Sequence, residues 1–282
     1  MSRRGLLSLL PLLLTVGFGD AGAAVPVELP PPLTPYTDEA QIAARARPEE
    51  ALSVNEPIYF LLGGSRDVTA RFQLSFKYRI FDEHARLVQT LPPIGGLYLA
   101  YTQTSRWDLS EESMPFEDTS YRPSVFWLYD SGRRGLLPRE LRVGYEHESN
   151  GQGELTSRSI DTLIVQPRWE TTVNGRKLEL APKLHLYLQE KGNPDIKHYR
   201  GDIAWFARYG RETSWIWHGL FRYGRGGHPT VQLDVSYPLR APLLARSGAF
   251  FHVQLLHGYG ETLLNYNERV GLRIWLGLSL VR

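Results

Sequence analysis

Val270-Gly271-Leu272-Arg273-Ile274-Trp275-Leu276-Gly277-Leu278-Ser279-Leu280 sets the reading of this chain. Val270, Leu272, Ile274, Leu276, Leu278 and Leu280 hold one parity, while Gly271, Arg273, Gly277 and Ser279 hold the other. Side chains of a β-strand alternate between two faces, so this is a strand with one aliphatic wall and one polar wall. The pattern recurs. Phe72, Leu74, Phe76, Tyr78 and Ile80 alternate with Gln73, Ser75, Lys77 and Arg79; Leu184, Leu186 and Leu188 alternate with Lys183, His185 and Gln189. A soluble sandwich alternates too, but charge on one face and unbroken aliphatics on the other suit a wall between lipid and a polar lumen.

Working outward from that stretch, the alternation beyond Pro57 divides into about twelve strands. They fall near 56–63, 70–82, 96–107, 122–130, 138–149, 160–171, 175–189, 199–210, 213–223, 229–238, 248–258 and 268–281. Many approach the ten or so residues that a tilted strand needs to cross a bilayer. The fold expected is all-β, a transmembrane antiparallel barrel, because only closure leaves no unpaired backbone edge in hydrocarbon. Connections at 172–174 and 211–212 are short and those at 108–121, 150–159 and 190–198 long, the asymmetry expected of periplasmic turns and external loops. The long connection at 83–95 breaks that rule. Trp107, Trp127, Trp169, Trp205, Trp215 and Trp217 are candidates for interfacial girdles.

The N-terminus reads as an address. Arg3 and Arg4 precede an apolar run from Gly5 to Phe18, followed by Ala21-Gly22-Ala23, the form of a secretory signal over residues 1–23. Residues 24–55 begin Pro-rich and are expected to form a periplasmic N-terminal segment, with the barrel over 56–282. The formal charge of +2 falls to +1 once Arg3, Arg4 and Asp20 are removed, which argues against nucleic acid as a partner. The chain has no cysteine, so disulfides and thiolate metal sites are excluded.

Alternation is most informative where it breaks. Along 138–149 one parity runs Leu141, Val143, Tyr145 and then His147 and Ser149; the other holds Arg142, Gly144, Glu146 and Glu148. On the next strand Asp161 precedes Leu163 and Val165, and on an earlier one Gln103 follows Leu97, Leu99 and Tyr101. Polar groups facing lipid are costly, so a His, a Ser and an Asp at one end of adjacent strands call for a chemical reason. Residues two apart on a strand share a face at roughly 6.5 Å, within reach of an imidazole towards a hydroxyl. The hairpin should set Asp161 nearly opposite Ser149 and diagonal to His147. Ser149 as nucleophile, His147 as base and Asp161 orienting the imidazole would then form a hydrolytic chain open to membrane esters. No Gly-x-Ser-x-Gly elbow, His-Glu-x-x-His or phosphate-cradling loop is present.

Residues 144–159, Gly-Tyr-Glu-His-Glu-Ser-Asn-Gly-Gln-Gly-Glu-Leu-Thr-Ser-Arg-Ser, closely resemble the active-site signature of the outer membrane phospholipase A family. The likeness extends through Tyr101-Thr102-Gln103, Glu111-Glu112-Ser113, Pro115-Phe116, Asn193-Pro194-Asp195, Gly258-Tyr259-Gly260-Glu261 and Asn265-Tyr266-Asn267. The resemblance implies a twelve-stranded barrel of the bacterial outer membrane. It also implies calcium-dependent hydrolysis of phospholipid acyl esters, of A1, A2 and lysophospholipase type, switched on by homodimerisation. Ser149 matches the family nucleophile and His147 its base; the third position, usually Asn, is Asp161. The resemblance further implies an oxyanion held by the Gly151 N–H and calcium-polarised waters. Calcium would sit between subunits on the Ser157 hydroxyl, the Gln152 carbonyl and a partner's Ser113 carbonyl, with Gln103 at the dimer interface. Two competing readings are a non-catalytic pore or structural barrel, and a deacylase acting on lipid A.

Overall fold

The computed structural model describes residues 50–281 apart from 66, 83, 114, 133–135, 191 and 240–247, and omits the side chain of 281. The expected signal segment and residues 24–49 lie outside the described residues. Twelve strands form the wall: β2 (Ile58–Gly64), β3 (Val68–Arg79), β4 (Leu97–Asp108), β5 (Phe116–Asp130), β6 (Glu140–Ser149), β7 (Ser159–Val173), β8 (Arg176–Gln189), β9 (Ile203–Gly210), β10 (Ile216–Tyr223), β11 (Pro229–Pro238), β12 (Phe250–Tyr259) and β13 (Arg269–Val281). A two-residue strand, β1 (Leu52–Ser53), precedes them and pairs with the far end of β3. Each neighbouring pair is antiparallel, and β13 returns to β2 with Trp275 opposite Gly63, so the sheet has no open edge. Gly63 has φ +153°, and a β-carbon there would stand 2.1 Å from the Ile274 carbonyl. The closing seam therefore admits no side chain at that position.

Alternation sorts the two faces as expected. Leu74, Leu186, Leu276 and Trp217 are exposed on the outside. Trp127, Trp169, Trp215 and Trp217 gather towards one rim, where the Trp127 and Trp169 indoles donate to the Pro93 and Leu136 carbonyls at 2.6 and 2.9 Å. Inside, a cavity of about 800 Å³ is lined mainly by charged and polar groups. Fully buried Trp275 packs with Tyr59, Leu61 and Leu256 and donates to the Thr69 hydroxyl at 3.0 Å. Among the described residues no helix is long and apolar enough to cross a membrane. The strands do the crossing.

The connections differ from the expected asymmetry. The rim that carries the 150–158 loop also holds the short 65–67 connection, while the opposite rim holds the long 80–96 segment. That segment contains a helix (Arg86–Thr90) and a 3-10 turn (Pro92–Gly96) rather than a bare turn. Strand ends moved as well: β5 starts at Phe116, ahead of the expected 122, and β9 starts after the helix Ile196–Arg200.

The lumen anchors the wall that matters most. Glu146 and Glu148 point inward from β6, on either side of His147. Both Glu146 oxygens receive the Lys183 ammonium at 2.8 Å, and Glu148 binds Arg200 at 2.8 Å and the Ser120 hydroxyl at 2.8 Å. Residues 54–57 bulge inward between β1 and β2, where Arg142 donates to Asn55 at 3.0 Å and Arg122 pairs with Glu56. Since Lys183 and Glu146 are both buried, Lys183→Met should leave the Glu146 carboxylate without its ion-pair partner, with the charge of Arg122 nearby, and destabilise the barrel by about 3 kcal/mol. The double change Glu146→Leu with Lys183→Met should recover most of that loss. Urea midpoints read from the gel mobility of folded and unfolded barrel would check both.

Candidate active site

β6 and β7 place the expected trio on the outside. Val143 and Tyr145 of β6 are exposed while Glu146 is buried, so His147 and Ser149 continue the outward row. On β7, Leu163 and Val165 are exposed and Ile160, Thr162 and Ile164 buried, which puts Asp161 outward too. The register corrects one detail. Asp161 stands directly opposite His147, and Ser149 opposite Ser159, one pair away from the expected diagonal. The cause is a tighter loop: the Asn150 N–H donates to the Arg158 carbonyl at 3.1 Å, extending the ladder one step beyond Ser149.

Direct opposition brings the His147 Nδ1 to 2.7 Å from the Asp161 Oδ1. A carboxylate oxygen only accepts, so Nδ1 carries the proton and the neutral ring keeps its lone pair on Nε2. The same Asp161 oxygen accepts the Tyr145 hydroxyl at 2.5 Å. Tyr145 reads in the sequence as part of the apolar wall, because a phenol satisfies either role. The Ser149 hydroxyl makes no hydrogen bond among the described residues, and nucleophile–base contacts often close only with substrate present.

The outward polar strip continues laterally. The registers set Gln103, Tyr121, Ser149 and Ser159 in one row across four strands. Pro123, opposite His147 by interpolation between the Tyr121–Ser149 and Ser124–Glu146 pairs, has no N–H for the ladder. Gln103 makes two hydrogen bonds within its own chain: Tyr101 donates to its Oε1 at 2.9 Å and its Nε2 donates to Ser105 at 3.2 Å.

The 150–158 loop is built on a buried amide. The Asn150 side chain donates to the Thr156 carbonyl at 2.8 Å and accepts the Arg158 N–H at 2.9 Å. Gly151 follows with φ +66°, and a β-carbon there would come within 2.8 Å of the Tyr121 ring. Its N–H has no acceptor among the described residues. Neither the Gln152 carbonyl nor the Ser157 hydroxyl has a hydrogen bond among the described residues. Ser113 lies exposed on the neighbouring 109–115 loop and makes no hydrogen bond to either. Fully buried Asn193 ties a third loop to this one by donating to the Ser159 carbonyl at 3.1 Å. Asn150 and Asn193 both sit in the stretches that carry the resemblance, but nothing in their spacing marks them as clamps.

A family model described as Phospholipase A1 matches residues 34–280. The chain belongs to the phospholipase A1 family. Phospholipase A1 of Escherichia coli K12 is 30% identical over 220 residues, 75% of this chain and 71% of that protein. Phospholipase A1 of Klebsiella pneumoniae is 32% identical over 185 residues, 63% of this chain and 61% of that protein. Among solved structures, outer membrane phospholipase A from Escherichia coli superimposes with a TM-score of 0.68 at 24% identity, over 83% of this chain and 93% of that one. A Salmonella typhi outer membrane phospholipase, solved as a dimer with bound calcium, gives 0.68 at 23% identity over the same shares. Those two likenesses carry the fold; the family carries the activity class. This phospholipase A1 homologue is accordingly an ester hydrolase of the bacterial outer membrane.

Within that family frame, the Asn150 clamp is a separable structural device. Asn150→Ala removes three hydrogen bonds at a buried position, one to the Thr156 carbonyl and two from the Arg158 and Gln152 N–H groups, at a cost of about 1–3 kcal/mol. Amide exchange across 151–158 should accelerate while that in β6 and β7 stays slow. Unchanged exchange in the loop would show that other contacts hold it.

Proposed function

We propose that the chain cleaves acyl esters of membrane phospholipids through a Ser149 acyl-enzyme, with His147 as general base and Asp161 as the acid that orients it. The observation that carries this reading is the 2.7 Å His147–Asp161 bond on the lipid-facing wall, two residues along the strand from Ser149. His147 Nε2 takes the hydroxyl proton as the Ser149 oxygen attacks the ester carbon. It then gives that proton to the departing glycerol oxygen, leaving acyl-Ser149. Water enters by the reverse sequence: His147 takes its proton, fatty acid leaves, and Ser149 is restored. Asp161 keeps Nδ1 protonated and stabilises the imidazolium, while Tyr145 fixes the carboxylate itself. The unoccupied Gly151 N–H is the chain's own donor to the oxyanion.

The oxygen donors on the 150–158 loop fit a hard cation: the Gln152 carbonyl and the Ser157 hydroxyl are unengaged, and neither is soft. We assign calcium to them, with Ser113 of a second copy completing the set. Bound calcium would supply positive charge and polarised water beside the oxyanion. A homodimer along the β4–β6 face follows from the same reading, since Gln103 keeps one N–H and one acceptor lone pair for a neighbour. Both sn-1 and sn-2 esters, and lysophospholipids, reach an exterior site from the bilayer plane. Residues 1–23 are assigned as the export signal and 24–55 as a periplasmic lead into the barrel.

Ser149→Ala should abolish release of fatty acid from phospholipid vesicles while the folded barrel keeps its gel mobility; undiminished hydrolysis would remove the nucleophile assignment. Excess chelator should cut both activity and the cross-linked dimer fraction, and readded calcium should restore both. Activity indifferent to chelator would count against Gln152 and Ser157 as ligands. Tyr145→Phe removes one hydrogen bond to a charged acceptor and should lower kcat by roughly tenfold with little change in KM. Equal loss in KM would place Tyr145 against the substrate instead.

A further inference from the structure

A second pocket lies on the outside of the barrel, at the rim opposite Ser149, where the phospholipase reading gives it no part. It holds about 250 Å³ and is walled by Trp215, Trp217 and Val235, with Tyr209 and Arg176 at its edge. Its outward position follows from parity: Trp217 is half exposed while the adjacent Ile216 is buried. Trp215 packs on Tyr237 with ring centroids 4.7 Å apart, which gives the pocket a rigid aromatic floor.

Two turns meet at this rim. β8 and β9 pair with Lys177 opposite Gly210, so one further step sets Arg176 against Arg211. The Arg211 Nε donates to the Gly175 carbonyl at 2.8 Å, which fixes the guanidinium beside the β7–β8 turn. The Arg176 guanidinium lies 5.9 Å over the Tyr209 ring. Both arginines are exposed, and neither has a carboxylate within ion-pair distance among the described residues. The acids nearest in sequence are engaged elsewhere: Glu170 and Glu179 with Lys177, and Glu212 with Arg208.

One uncompensated guanidinium, that of Arg176, therefore stands at the edge of an apolar, aromatic slot, and a second, that of Arg211, lies opposite it in register on the same rim, where tryptophans collect. That combination matches one ligand class: a lipid whose headgroup is anionic and whose upper chain is apolar. We propose that this pocket binds an anionic phospholipid of the leaflet at that rim. The headgroup phosphate sits between Arg176 and Arg211, and the glycerol and first acyl carbons run along Trp217 and Val235. A zwitterionic lipid brings its own cation to the same place and gains less from two arginines.

The test uses purified full-length protein in nanodiscs of equal diether phosphatidylglycerol and diether phosphatidylcholine, which an ester hydrolase cannot cleave. Native mass spectrometry then counts the lipids retained. Wild type should keep phosphatidylglycerol over phosphatidylcholine by on the order of tenfold. Arg176→Gln with Arg211→Gln should bring that ratio close to one, with ester hydrolysis unaffected. Trp217→Ala, which leaves both charges, should lower retention of phosphatidylglycerol several-fold. No preference in wild type, an unchanged preference in the glutamine pair, or full retention by Trp217→Ala would each overturn the assignment.

Discussion

Hydrocarbon offers a backbone amide nothing to bond to, and this constraint governs the molecule from the seam outward. An unpaired N–H or C=O in lipid costs several kcal/mol, so twelve strands must close, and they close where β13 meets β2. Closure requires a backbone contact at Gly63 too tight for any side chain. It also fixes the faces. Once the sheet is a cylinder, every odd–even choice along a strand becomes a choice between lipid and lumen, and a slip of one residue would invert the entire wall.

The same constraint gives the His147 site its meaning. Three hydrogen-bonding side chains that face outward find no partner in lipid, so they satisfy one another. His147, Asp161 and Tyr145 do so, and the strip continues through Gln103, Ser105 and Thr119 on neighbouring strands. From behind, Lys183 and Arg200 hold the inward carboxylates of Glu146 and Glu148, which pins β6 on both sides of His147. Rigid support on the lumen side is what allows a polar array to keep its geometry on the lipid side. Under the proposed function, an exterior site would meet the ester groups of bilayer lipids without extracting a lipid from the membrane.

Parity carried most of what the sequence could say. The outward placement of Ser149, His147 and Asp161 follows from counting by twos along 138–149 and 160–171, and a count near twelve follows from the alternating runs. Register does not follow from parity. The one-pair shift that sets Asp161 opposite His147 depends on where the hairpin closes, and that is decided by the Asn150 amide and its bond to Arg158, a contact across eight residues. Strand ends were hidden for similar reasons. The start of β5 is masked because both of its faces are polar around Glu117–Ser120, and β9 begins late because residues 196–200 spend one turn as helix before Gly201 ends it at φ +65°. Tyr145 was invisible as an acid-holder since its ring alone explains its place on the wall.

The central claim is that an outward-facing Ser149, activated by His147, is the group that receives the acyl chain. Labelling with a long-chain alkyl fluorophosphonate tests it most directly, because the reagent bonds covalently only to an activated hydroxyl. Peptide mass spectrometry should find a single adduct on Ser149 in wild type and none in His147→Ala. An adduct on another residue, or active protein that takes up no label, would contradict the account.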